Sequence, residues 1–315
     1  MSQKGNYEIW SFPMVLIRAK ESKNSKLFFS DGKLAGLRIR RNKNPVFREL
    51  QKGDTCQFRC EVRYDKDSYG HKYLQIETIL EVVKTEFPSW SILKECYGIV
   101  VKSSVSNDRL EIFNPEYGLI RTTKDFGGHV EQDDFVRFHL TTQVIKNKLI
   151  YGAVNFLPCS KEDALMYFEN NVVAINYLDD EKEVFNFASP EKNFYGEVPF
   201  KETTLRPILG DIYRIYYCEY KYRNKFVRKI VDYERIEKGR DDTTTVRGQL
   251  VVSFKNKRQA NNPKAYPSFG FVNQKYFIPG MLLKSADIRE DCYVAAHMVL
   301  IDGKSVVFEV FPLGR

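Results

Sequence analysis

Apolar and polar residues alternate in short runs along this chain, and the runs recur in sets. After Asp54, the residues Cys56, Phe58 and Cys60 alternate with Thr55, Gln57 and Arg59. After Asp134, Val136, Phe138 and Leu140 alternate with Phe135, Arg137 and His139. A period of two places each set on its own face of a β-strand, so both stretches are expected to be strands with one apolar face. After Asp291 the apolar set is Cys292, Val294, Ala296 and Met298, shifted by one position. A one-residue slip exchanges the two faces of a strand, so the register of this last copy stays open.

What precedes these strands is also repeated. An acidic turn stands at Gly53-Asp54, Asp133-Asp134, Gly210-Asp211 and Glu290-Asp291, and the marker aspartates are 80, 77 and 80 residues apart. A fixed period of this length means one structural unit copied along the chain. Each copy opens with a strand (residues 10–18, 97–102, 172–177 and 248–254) and continues with a second, aromatic strand (27–29, 110–113, 184–187 and 269–272). A third short strand and an irregular connection lead to the acidic turn, and two more strands close the unit. Five short strands curl readily into a small barrel, which removes exposed edges. The expected units are 1–88, 95–160, 170–238 and 243–315.

Helix signals are few. Ser160-Lys161-Glu162-Asp163 before Ala164 and Leu165 is a capping-box-like start, and 89–95 is a weaker candidate. Residues 238–245 are polar and are expected to form a linker. The short connections elsewhere predict neighbouring units packed semi-rigidly.

Composition changes this picture in three respects. The 315 residues include 23 Phe and 19 Tyr but only 2 Trp, an aromatic content suited to sheet surfaces. The net charge of +8 is uneven: residues 1–90 carry 17 basic against 11 acidic residues and residues 241–315 carry 10 against 7, whereas the middle of the chain is close to neutral. Basic ends favour polyanionic partners. The 6 Cys form no C-x-x-C pair, and no stretch has signal-peptide or membrane-span character, so reduced thiols in a cytosolic or nuclear protein are expected. Cys56 and Cys60 on one strand face are expected in a core rather than around a metal.

The unit plan resembles the cold-shock domain and, more loosely, the S1 domain, both five-stranded OB-fold barrels. The fourth unit carries the resemblance at the residue level. Residues 247–254 (RGQLVVSF) look like the opening strand, 268–272 (SFGFV) are similar to the first nucleic-acid-binding motif, and 276–279 (YFIP) stand where the second would fall. Ser253 replaces the opening-strand tryptophan, Pro279 replaces the second-motif histidine, and residues 255–268 form a long insertion. The chain as a whole resembles multi-cold-shock-domain RNA regulators.

The resemblance implies an all-β fold of four tandem OB-type barrels with short linker helices, and non-enzymatic binding of single-stranded nucleic acid, RNA rather than DNA. The rings of Phe254, Phe269, Phe271, Tyr266, Tyr276 and Phe277 are the stacking candidates, with Phe271 or Phe277 the members most readily absorbed by a core. Gly270 between two rings is expected to let a base or backbone approach closely. Three basic runs offer phosphate contacts: Arg38, Arg40, Arg41 and Lys43; Lys221, Arg223, Lys225, Arg228 and Lys229; and Lys255, Lys257, Arg258 and Lys264. Each run alone also fits a loop kept soluble by charge. The repeated aspartates are expected to be turn formers, not catalytic acids. No cofactor, metal or membrane partner is expected. The alternative is a protein-interaction scaffold that uses exposed barrel edges or aromatic patches.

Overall fold

A computed structural model describes all residues except 1–7, 19–25, 34–35, 67–69, 71, 87–89, 104–107, 147, 191–193, 203–205, 223, 238–242 and 315. Strand accounts for 62% of the described residues and helix for 10%, which makes this an all-β fold. The described residues form four five-stranded antiparallel sheets. The first comprises β1 (Glu8–Arg18), β2 (Lys26–Ser30), β3 (Leu37–Arg40), β4 (Thr55–Lys66) and β5 (Lys72–Thr85). The second comprises β6 (Glu95–Ser103), β7 (Arg109–Asn114), β8 (Gly118–Thr123), β9 (Phe135–Ile145) and β10 (Lys148–Pro158). The third comprises β11 (Glu169–Asp179), β12 (Val184–Ala188), β13 (Tyr195–Pro199), β14 (Ile212–Tyr222) and β15 (Lys225–Glu237). The fourth comprises β16 (Thr244–Ser253), β17 (Phe269–Val272), β18 (Tyr276–Pro279), β19 (Cys292–Ile301) and β20 (Lys304–Pro312). Every sheet has the same strand order, third-second-first-fourth-fifth.

The second and fourth sheets are nearly closed barrels. In the second, β8 meets β10, with Thr122 Oγ1 donating to the Ala153 carbonyl at 2.6 Å. In the fourth, β18 approaches β20, and the helix α3 (Gly280–Ser285) packs Leu282 and Leu283 into the barrel between them. The sequence pattern gives no warning of α3, which occupies what was expected to be an irregular connection. The first and third sheets follow the same five-stranded plan with less complete closure. In the third, Arg228 Nη1 of β15 donates to the Tyr195 carbonyl of β13 at 2.9 Å.

The acidic turn has a repeated geometry. Each marker aspartate lies one residue before the fourth strand of its sheet. In the first sheet Gly53 N–H donates to the Leu16 carbonyl and Leu16 N–H to the Asp54 carbonyl, both at 2.8 Å. Asp133/Asp134 make the same exchange with Val100, and Gly210/Asp211 with Ile175. Gly53, Asp133 and Gly210 all take positive φ (93°, 74° and 83°), the conformation such a turn demands. In each of these sheets the opening strand carries a register shift beside the clamped residue. The turn therefore pins a bulge in strand one to the start of strand four. The fourth copy departs: the Asp291 carboxylate itself accepts from Val252 N–H at 2.8 Å, and the β16–β17 register runs without a shift.

The alternating sets point inward as expected. Cys56, Phe58 and Cys60 are fully buried with Phe29 and Phe47, whose rings lie 5.1 and 6.3 Å from Phe58. Removing a ring from such a cluster costs about 3–5 kcal/mol. Burial pushes the Cys56, Cys60 and Cys96 thiols up to about 11, where they are inert small hydrophobes. In the fourth sheet Val294, Ala296 and Met298 face the core with Cys292 against it, which fixes the register left open by sequence.

The residues fall into two compact units, Met1–Phe168 with Glu219–Val227, and Glu169–Cys218 with Arg228–Arg315. Within the first, Val15, Ile17, Leu93 and Val154 form a small shared core between the first and second sheets, and Gly36 N–H donates to the Thr142 carbonyl at 3.1 Å. Within the second, Ala174 and Ile212 of the third sheet pack with Val299, Ile301, Val306 and Phe308 of the fourth.

Helix α1 (Lys161–Leu165) starts where the capping box predicts, with Ser160 Oγ accepting from Asp163 N–H at 3.1 Å. The weaker helix candidate is not one: 87–89 lie outside the described residues, and 90–93 form a turn closed by Leu93 N–H to the Trp90 carbonyl. Of the expected linker, 238–242 lie outside the described residues, and Thr244 already belongs to β16. Among the described residues no helix is long and apolar enough to cross a membrane.

Candidate nucleic-acid interface

Strands β17 and β18 settle which way the aromatic residues of the fourth sheet point. Val272 and Ile278 are fully buried in the barrel. Strand alternation then turns Phe271 and Phe277 outward, and their side chains are 36% and 52% exposed. They pair directly across the two strands, with ring centroids 5.6 Å apart and edge-to-face. Phe269 completes the group, 5.9 Å from Phe271 and 6.0 Å from Phe277. On the far side of β17, Phe271 pairs with the exposed Val251 of β16. The outer surface of β16–β18 thus carries a row of apolar groups across three strands with three rings at its centre.

Two alternatives are decided here. Phe271 and Phe277 do not fill the barrel, because the inward positions of FGFV and YFIP belong to Gly270, Val272 and Ile278. At Gly270 the close approach is that of side chain and backbone within the sheet. The residue is buried, and a Cβ there would lie 2.8 Å from the Leu250 side chain and 3.0 Å from the Val251 carbonyl, so the glycine is required by interior packing.

The other residues predicted in this sheet take different places. Phe254 is half-buried just beyond β16. Tyr276 packs its ring against the core, with the Lys275 ammonium 5.1 Å from the ring centre. Tyr266 is held on the surface: its hydroxyl donates to Asp287 at 2.7 Å, and the Arg289 guanidinium covers one face at 4.3 Å. Lys257 and Arg258 are exposed on α2 (Lys257–Ala260), capped by Asn256 Oδ1 accepting from Gln259 N–H at 3.0 Å. Lys255 and Lys264 are exposed beside them. The insertion leaves β16 and returns at Ser268, whose N–H donates to the Ser253 carbonyl at 2.8 Å. Its cations therefore issue from the end of the hairpin that bears Phe269.

The remaining basic residues divide by role. Arg41 donates to the Arg48 and Leu50 carbonyls at 2.8 and 3.2 Å and so closes the loop after β3. Arg40 is exposed on β3. Arg38 lies with its guanidinium 5.8 Å from the Phe28 ring and donates to Gln143 Oε1 at 3.0 Å. Lys221 and Lys225 are exposed on the β14–β15 hairpin, and Arg223 lies outside the described residues. Arg228 is placed over Phe194 at 4.6 Å, which commits it to packing.

Sequence reasoning missed Arg18, Lys26, Lys102, Arg109 and Arg121. These line a cleft with Arg38 in the first unit, and no local pattern links residues so far apart in the chain.

No protein-family model matches the chain. No curated protein matches it. Among solved structures it is similar to a multidomain protein with nucleic acid binding domains from Streptococcus pneumoniae TIGR4, at 13% identity and a TM-score of 0.15, over 66% of this chain and 67% of that one. It is also similar to Drosophila Unr CSD456, at 10% identity and a TM-score of 0.22, over 74% of this chain and 99% of that one. Identities and scores this low transfer neither a ligand nor a residue role.

Proposed function

We propose that the chain binds single-stranded nucleic acid, RNA in preference to DNA, on the outer face of β16–β18, without enzymatic chemistry. The observation that carries this is the group formed by Phe269, Phe271 and Phe277, two of its rings exposed and all held on a rigid sheet. Unstacked bases offer flat faces to such rings, and each stack contributes about 1–3 kcal/mol whatever the base. A sheet holds the rings in place before binding, so little side-chain entropy is lost on contact. Lys255, Lys257, Arg258 and Lys264 supply phosphate contacts next to the rings. The preference for RNA rests on the resemblance of the chain as a whole to multi-cold-shock-domain RNA regulators.

The test is a titration of matched single-stranded RNA and DNA at about 50 and about 200 mM salt. Binding to both, tighter for RNA and weakening with salt, supports the proposal. Absence of binding at low salt overturns it and leaves the exposed rings to a protein partner.

A further inference from the structure

Between the first and second sheets of the first unit lies a cleft of about 940 Å³. Six cationic side chains line it: Arg18, Lys26, Arg38, Lys102, Arg109 and Arg121. Among the described residues that line it, Glu111 is the one carboxylate, and it is bound to Arg121 at 3.1 Å. Lys26 and Arg109 have no ion pair among the described residues. Collecting like charges in a concavity raises the energy of the empty protein, and a polyanion relieves it.

The cleft also contains flat apolar surface. The rings of Phe28, Phe126 and Tyr222 line it, each beside a cation: Arg38 at 5.8 Å, Arg18 at 6.0 Å and Lys102 at 5.4 Å respectively. Lys102 Nζ also donates to the Tyr222 hydroxyl at 3.2 Å. These contacts hold cationic groups at fixed points without neutralising them. The shared core around Val15, Ile17, Leu93 and Val154 fixes the two walls against each other.

We infer that this cleft is a binding site for phosphates joined to an aromatic base, separate from the rings of the fourth sheet. The ligand is a short stretch of single strand or a free nucleoside triphosphate. Phosphates meet the unpaired Lys26 and Arg109, and a base lies against Phe28 or Phe126. The ligand class rests on the proposed function; the site rests on other residues.

The test uses the full chain with two probes, a fluorescein-labelled oligouridylate of about a dozen nucleotides and UTP. The variants are Lys26→Glu/Arg109→Glu and, should charge reversal impair folding, Lys26→Gln/Arg109→Gln. Each is made alone and in a Phe271→Ala/Phe277→Ala background. If the ligand is a strand, the residual oligouridylate binding of that background falls at least about tenfold on charge reversal. The slope of log affinity against log salt then shrinks by about 1.4, the value for two single-strand phosphate contacts. If the ligand is a free nucleotide, UTP binds and is lost on charge reversal, even where oligouridylate binding is absent. Unchanged binding of both probes in folded charge-reversed protein overturns the cleft site and leaves the fourth-sheet site standing. An effect of Lys26/Arg109 without any effect of Phe271/Phe277 does the reverse.

Discussion

Phe271 and Phe277 face one another across β17 and β18 with ring centroids 5.6 Å apart, and both rings are open to solvent. Their packing thus belongs to the surface, whereas their neighbours Val272 and Ile278 hold the barrel. Phe271→Ala/Phe277→Ala is expected to change the urea unfolding midpoint little. Ile278→Ala is expected to destabilise by about 2–5 kcal/mol, as large-to-small core changes do. Equilibrium unfolding of the two variants separates the surface role from the core role.

The clamp between Leu16 and Asp54 recurs at Val100/Asp134 and Ile175/Asp211, and its left-handed residue has a steric consequence. Gly210→Ala is expected to destabilise by more than about 1 kcal/mol, since φ is 83° and a Cβ would press on the Phe308 ring at 3.1 Å. At the fourth turn Asp291→Ala loses the bond to Val252 N–H, at about 1 kcal/mol, whereas Asp291→Asn retains an acceptor and stays near wild type. Thermal melts of the three variants check the order.

The clamp shows how much of the fold could be read in advance. The acidic turns, the strands they introduce and the inward set Cys56, Phe58 and Cys60 follow from local pattern, because alternation and turn chemistry act within a few residues. Helix α3 escaped because its apolar residues, Met281, Leu282 and Leu283, form too short a run to show a helical period. The outward direction of Phe271 was hidden because FGFV reads equally well with either face inward until Gly270 is seen to fit beneath Leu250. The basic cleft was least legible of all. Its cations span residues 18 to 121 and converge only when two sheets pack together.

Asp211 is 1% exposed and is ion-paired with Arg235, whose side chain is 36% exposed. Removing the cation leaves the buried carboxylate without this counter-ion. Arg235→Met is expected to cost on the order of 2 kcal/mol, less than a fully buried pair because water reaches the guanidinium. Adding Asp211→Asn to Arg235→Met is expected to recover part of the loss. A double-mutant cycle by urea unfolding measures the coupling.

His139 gives the first unit a pH dependence. Burial lowers its pKa, Arg137 adds to the effect, and Glu95 opposes it. The imidazole also lies against Asn155 Nδ2 at 3.3 Å and 6.4 Å from the Trp90 ring. With the folded pKa below the unfolded value of about 6.5, the unfolded chain binds more protons in that window. Stability therefore falls as pH drops through about 6.5 and levels off below the folded pKa. Urea midpoints between pH 7.5 and 5 are expected to decline for wild type, with a shallower decline for His139→Gln.

The central claim is that exposed rings on the fourth sheet stack on single-stranded bases. Its most direct test is the affinity of a labelled single-stranded RNA for wild type and for Phe271→Ala/Phe277→Ala, measured by fluorescence anisotropy at one salt concentration. Two lost stacks of at least about 1 kcal/mol each predict a loss of about thirtyfold or more, with the fold intact. Equal affinities for the two proteins would contradict the account.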